Sequence, residues 1–181
     1  MSKREGAAAL TLPVSERDHF AGPAEALVTL VEYGDYECPH CGRAYPIVKQ
    51  VRQRMGRRMR FVYRNFPLRD SHPHAQHAAE AAEAAGAQGK FWDMHDRLFE
   101  RQFALDDEYL IEYAGDLALD VARFRRELLD GAYEPRVRED FRSGVASGVN
   151  GTPTFFINDV RYDESWEAAP LLAALQRAAS P

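Results

Sequence analysis

The chain has 181 residues, 45% of them hydrophobic and 28% charged, the balance of a globular domain rather than a disordered segment. Its 23 Lys and Arg against 28 Asp and Glu leave a net charge of −5, which argues against a general nucleic-acid binder. No apolar run approaches the ~18 residues of a membrane span, and two cysteines are too few for a disulfide-stapled secreted scaffold.

In chain order, residues 1–25 read as an extended, partly ordered lead-in, punctuated by Pro13, Gly22 and Pro23. Ala7–Leu12 is too short and too weakly apolar for a secretory leader, so the expected location is the cytoplasm, a processed exported form being the other possibility. Ala26–Tyr33 is apolar and β-branched and predicts a buried strand. Ala44, Ile47, Val48, Val51 and Met55 share one helical face, with Pro46 predicting a kink and Gly56 a stop. Met59–Phe66 alternates and predicts a second strand, parallel to the first by the crossover rule.

From His72 to about Val149 only helical patterns follow: alanine-rich Ala75–Ala87, then the stripe Phe91, Met94, His95 and Leu98, then Leu110, Ile111 and Ala114. Asp120 caps a helix carrying Phe124 and Leu128, and Tyr133, Val137, Phe141 and Val145 mark the last of the block. Strands resume at Thr154–Ile157 and Val160–Tyr162 about a turn at Asn158-Asp159, and a final helix covers about Trp166–Ala178. The expected architecture is therefore α/β: residues 26–71 and 150–181 form a β-α-β plus β-β-α domain, 72–149 an all-helical insertion, and 1–25 an N-terminal extension.

The chemistry concentrates in Cys38-Pro39-His40-Cys41, the only cysteines, where the first strand turns into the first helix. Cys-x-x-Cys beside a βαβ pattern reads as a redox dithiol. Pro39 suits the first helical position, which places Cys38 at the helix N-terminus, where free backbone donors and the helix dipole favour a thiolate. Cys41 lies about one turn further on the same face, within disulfide reach. Cys38 is thus the expected exposed nucleophile and Cys41 the less exposed resolving thiol. His40 offers a hydrogen bond or positive charge to Cys38, which would make the disulfide more oxidising. Two other readings stand beside this one. The cysteines are an inert pair, or they form half of a zinc site completed by His72, His74 and His77.

Cys38-Pro39-His40-Cys41 after Val28–Tyr33, Gly148-Val-Asn-Gly-Thr152-Pro153-Thr-Phe-Phe-Ile157 far downstream, and Ala75–Phe99 with Gln88-Gly89-Lys90-Phe91-Trp92 together resemble the bacterial DsbA-like thiol-disulfide oxidoreductases. The resemblance runs from about Asp18 to the last helix. It implies a thioredoxin-like sheet with a helical insertion. It makes Cys38 the attacking thiol, Cys41 the resolving thiol, and Pro39 and His40 the residues that tune the potential. It makes Pro153 a cis proline preceded by Thr152, a segment whose backbone pairs with an extended substrate chain. It also matches Glu32, six residues before Cys38, to an acidic residue near the buried thiol that accepts the Cys41 proton. The bland alternative for Glu32 is an exposed strand-end carboxylate.

The expected function is exchange of disulfides with protein substrates through Cys38 and Cys41. The implied partners are protein thiols and disulfides and a redox-recycling protein, with no nucleic acid and no membrane. No metal or organic cofactor is expected beyond the Cys38–Cys41 disulfide itself. The alternative from another class is a redox-sensing, chaperone-like binding module on the same scaffold. Arg52, Arg54, Arg57, Arg58 and Arg60 read as a solvated face complementing the helix dipole, Phe91, Trp92 and Phe99 as core of the insert, and Tyr36 as a border of a substrate groove.

Overall fold

The computed structural model describes residues 8–180. Five strands and seven α-helices follow in the order β1 (His19–Ala21), β2 (Val28–Gly34), α1 (Pro39–Met55), β3 (Met59–Asn65), α2 (Ala75–Gly86), α3 (Phe91–Glu100), α4 (Asp107–Asp116), α5 (Val121–Leu129), α6 (Glu134–Ala146), β4 (Thr154–Ile157), β5 (Val160–Tyr162) and α7 (Ala168–Ala178). The fold is the mixed α/β architecture expected from the pattern. The chain divides into two compact units, one of residues up to Tyr33, Arg43–Arg64 and Arg142 onward, the other of Gly34–Gly42 and Asn65–Phe141. These borders differ from the expected 72–149 insertion, chiefly because the second unit also takes in the segment that carries both cysteines.

The first unit is built on a sheet of order β1-β3-β2-β4-β5. β4 runs antiparallel to both of its neighbours, with Leu30 opposite Ile157, Tyr33 opposite Thr154, and Phe155 opposite Tyr162. The turn between β4 and β5 places Asn158 and Asp159 at positive φ (45° and 68°), where Asn and Asp tolerate the left-handed region best among non-glycine residues. Leu30, Val31, Phe61, Val62, Phe155 and Phe156 are buried on the strands, and Val48, Val51, Met55, Leu171 and Leu175 on α1 and α7. α1 runs unbroken through Pro46 and ends where Gly56 takes φ +55°.

The lead-in is tied into the sheet. From residue 8 onward it belongs to this unit, and the part of the expectation that falls on residues 1–7 lies outside the described residues. β1 pairs antiparallel with β3, and Ala9 bridges to Val160. Arg64 explains why. Its guanidinium is wholly buried and donates to both carboxylate oxygens of Asp18 (2.8 and 3.0 Å), to the Leu12 and Pro13 carbonyls and to the Tyr33 hydroxyl. A guanidinium offers five donors and is tolerated in a core only when they are met; residues 12–18 supply most of the acceptors.

In the second unit α2 is the central helix, touched by α3, α4 and α5. Its alanines explain that position: side chains of one carbon let three neighbours approach, and Ala75, Ala78, Ala79, Ala81, Ala82, Ala84 and Ala85 are all buried. Asp120 caps α5 as expected, accepting from the Arg123 backbone N–H at 2.9 Å. The same helix α2 buries Glu80 and Glu83. Asn65 Nδ2 donates to Glu83 at 2.7 Å and to Asp140 at 3.2 Å, and Asp140 also pairs with Arg136. Burial, partly opposed by Arg136 and by the Asn65 backbone N–H, pushes the Asp140 carboxyl from 3.8 up to about 6.

Candidate active site

The site is built on the turn from Gly34 to Gly42. α1 begins at Pro39, so Cys38 is the residue immediately before the helix, as the proline predicts. The Cys38 carbonyl accepts the first helical bond from the Gly42 N–H at 3.0 Å, and Cys41 lies in that same first turn. The two cysteines are not joined by a disulfide in this structure. Cys38 is not the exposed thiol expected from sequence: it retains 3% accessibility and Cys41 none. The order of access is as expected, but both cysteines are buried. His40 and Pro39, between them, are exposed.

Three side chains that the sequence reading left out of the site hold this turn. The first is Asp35, whose carboxylate is fully buried. Its Oδ1 accepts from the Glu37 N–H (2.8 Å), its Oδ2 from the Leu68 N–H (2.9 Å) and from His72 Nδ1 (2.8 Å), and its carbonyl from the Cys38 N–H (3.2 Å). The second is Gln102, whose Nε2 donates to the carbonyls of Tyr36 (2.8 Å) and Cys38 (2.9 Å). Gly42 makes room for it: a Cβ there would stand 2.0 Å from Gln102 Oε1. The third is His95, whose Nδ1 bonds the Tyr36 hydroxyl at 3.0 Å. Tyr36 therefore does not border an open groove. It is 1% exposed, with its ring against Phe99 and its polar tip satisfied inside.

The three histidines considered as zinc ligands go separate ways. His72 is turned to Asp35, His74 sits between Glu37 (2.8 Å) and Asp106 (3.0 Å), and His77 meets Asp107. Among the described residues no three His, Cys, Asp or Glu side chains gather as a metal cage. The hydrogen bond to Glu37 outweighs burial and, with the charges of Glu37 and Asp106, raises the His74 pKa above 6.5. Burial works against a proton on His72, but the hydrogen bond and charge of Asp35, helped by Cys38 and Glu37, raise it as well.

The remaining expected site residues lie in the first unit. Glu32 is in β2 opposite Phe155 and is 3% exposed, so it is a buried carboxylate and not an exposed strand-end residue. Thr152 and Pro153 immediately precede β4, and the bond joining them is cis. Asp35 and His72 carry a signal in the sequence: Asp35 stands three residues before Cys38, and His72 lies in a histidine-rich segment. Gln102 carries no local pattern at all.

A sheet of this order, interrupted by helices and carrying Cys-x-x-Cys at the start of α1, defines the thioredoxin class, and the chain belongs to the thioredoxin family, whose model matches residues 14–177. Its fold is DsbA-like. Superposition on oxidised BdbD from Bacillus subtilis gives a TM-score of 0.85 at 21% identity, over 96% of this chain and 98% of that one. A thioredoxin-like oxidoreductase from Silicibacter pomeroyi gives 0.79 at 28% identity, over 91% and 93%. Wolbachia pipientis α-DsbA1 gives 0.80 at 19% identity, over 94% of each chain. In sequence the chain is 49% identical over 175 residues to part of a Na(+)/H(+) antiporter NhaA 1 of Salinispora arenicola, covering 96% of this chain and 27% of that protein. The chain spans about a quarter of the length of the curated relatives it matches. No described helix is long and apolar enough to cross a membrane.

Proposed function

We propose that this chain is a protein thiol-disulfide oxidoreductase working through Cys38 and Cys41. The observation that carries the reading is the position of the pair: one thiol immediately before α1 and one in its first turn, on a thioredoxin fold. The names of its structural neighbours, among them a thioredoxin-like oxidoreductase and DsbA proteins, support the same chemistry. In the reducing direction the Cys38 thiolate attacks one sulfur of a substrate disulfide. The substrate S–S bond breaks, a mixed disulfide forms, and the leaving thiolate takes a proton from water. Cys41, deprotonated, then attacks the Cys38 sulfur. The Cys38–Cys41 bond forms, the mixed disulfide breaks, and the second substrate sulfur leaves as a thiolate that is protonated in turn. Two electrons pass from the dithiol to the substrate, and the reverse sequence oxidises a substrate dithiol. A redox-recycling protein returns the pair to its starting state. Glu32 is the proposed acceptor of the Cys41 proton, His40 the residue that tunes the potential, and the Thr152-Pro153 segment the edge that pairs with a substrate chain.

The test is insulin disulfide exchange with single variants. Cys38→Ser is expected to abolish turnover, and Cys41→Ser to accumulate mixed disulfides that the wild type resolves. Full turnover in Cys38→Ser overturns the proposal.

A further inference from the structure

Asp35 joins two things that the exchange chemistry treats separately. Its backbone carbonyl and one carboxylate oxygen cap the turn that ends in Cys38, through the Cys38 and Glu37 N–H groups. Its other oxygen holds His72. The same oxygen takes the Leu68 N–H, and His72 N–H returns to the Leu68 carbonyl at 2.8 Å, so the imidazole is anchored through both its ring and its backbone. With Nδ1 committed to a buried carboxylate, the ring is fixed in orientation, and Nε2 is the nitrogen left over. The side chain is 18% exposed, enough to exchange protons with solvent but not enough for water to screen it fully. Asp35 joins the ring to the cysteine turn, its carboxylate on His72 Nδ1 and its carbonyl on the Cys38 N–H, and the charges that act on the ring are those of Asp35, Cys38 and Glu37, all capable of negative charge.

Resting on the thiol-disulfide reading above, we propose that His72, held by Asp35, is a positioning residue for Cys38: it supplies a fixed positive charge that favours the Cys38 thiolate, in addition to whatever His40 contributes from within the motif. The coupling is reciprocal. A Cys38 thiolate strengthens proton binding at His72, and an imidazolium at His72 strengthens ionisation of Cys38 by the same factor. Closing the Cys38–Cys41 disulfide removes the thiolate, so His72 holds its proton less tightly in the oxidised protein. The redox state is thereby linked to a proton at a residue that forms no bond in the reaction. His77 has no such role: its carboxylate partner is Asp107, at the start of α4.

Two measurements test this. The first needs no variant: NMR titration of the His72 ring protons in the reduced and oxidised full chain. The expected result is a higher midpoint in the reduced protein, with Cys38→Ser matching the oxidised value. Equal midpoints in all three overturn the proposal. The second is the pH profile of iodoacetamide alkylation of Cys38 in a Cys41→Ser background. His72→Gln is expected to move the midpoint up and to slow alkylation at pH 6 by about threefold or more, because one pKa unit is worth about tenfold in thiolate below the midpoint. The plateau at high pH stays the same, and His77→Gln leaves the whole profile in place. A His72→Gln profile that superimposes on its parent overturns the proposal. The comparison of reduced wild type with Cys38→Ser does not depend on turnover, so loss of the exchange reading and loss of the His72 coupling give different results.

Discussion

A methyl group at position 42 should change sign in its effect depending on residue 102. Gly42 lies in the first turn of α1, where replacing glycine by alanine ordinarily stabilises a helix by about 0.5–1 kcal/mol. Here the added Cβ would stand 2.0 Å from Oε1, 2.7 Å from Cδ and 3.0 Å from Nε2 of Gln102, so the amide must leave. Leaving breaks its bonds to the Tyr36 and Cys38 carbonyls. At about 0.5–1.5 kcal/mol per bond that loss is roughly 1–3 kcal/mol. Gly42→Ala alone should therefore destabilise by up to about 2 kcal/mol once the helix gain is subtracted. In a Gln102→Ala background the bonds are already gone, and the same substitution should stabilise by about 0.5–1 kcal/mol. Urea unfolding of the four proteins gives the cycle, with an expected coupling of about 1–3 kcal/mol. If Gly42→Ala stabilises equally in both backgrounds, Gln102 does not clamp the turn and the argument fails.

Other outcomes follow from the buried charges. Asp18→Asn keeps the acceptor shape but leaves the Arg64 guanidinium buried without its counter-charge, and should lower stability by about 3–5 kcal/mol in chemical denaturation; a loss under about 1 kcal/mol would mean that the lead-in is not anchored there. The Asp140 carboxyl binds its proton more tightly folded than unfolded, so its contribution to stability is fully present below pH 3.8 and is lost as pH rises through about 6. Relative to wild type, Asp140→Asn should therefore gain stability between pH 4 and pH 7, by on the order of 3 kcal/mol, and a pH-independent difference would contradict the raised pKa. His72 and His74 have raised pKa values, so their paired stabilisation is present below pH 6.5 and lost as pH climbs above it. His74→Gln should flatten that part of the wild-type stability curve, and an unchanged slope would show that the Glu37 and Asp106 contacts do not hold in solution.

Where the pattern is local, the fold was legible. β2, α1 and β3 announce themselves by apolar alternation and by 3.6-residue spacing, and Asp120 and Gly56 mark ends that the backbone then uses. The cysteine pair at the start of α1 was legible for the same reason, since Pro39 both ends the turn and starts the helix. β1 was not, because three residues are too few to show a period and its stability comes from pairing with β3. Nor was the role of residues 12–18, although an arginine near the end of a buried strand, between Tyr63 and Asn65, was a sign that acceptors had to come from elsewhere in the chain. Asp35 and Gln102 act through contacts across 2 to 66 residues of sequence, with backbone carbonyls and N–H groups on the other side, and His72 acts through a carboxylate 37 residues away. Backbone partners leave no mark on residue identity, which is why a motif-based reading points to the two cysteines and not to the groups that hold their turn.

The central claim is that Cys38 and Cys41 form a reversible, functional disulfide. The measurement that tests it is equilibration of the reduced chain in glutathione buffers of graded poise, followed by acid quench, thiol alkylation and mass analysis. The account predicts a single two-electron transition between dithiol and Cys38–Cys41 disulfide, absent from either Cys→Ser variant. A midpoint near roughly −120 to −180 mV would mark an oxidant or isomerase, and one near about −250 mV or below a reductant suited to a reducing compartment. Two free thiols at every poise would contradict the claim.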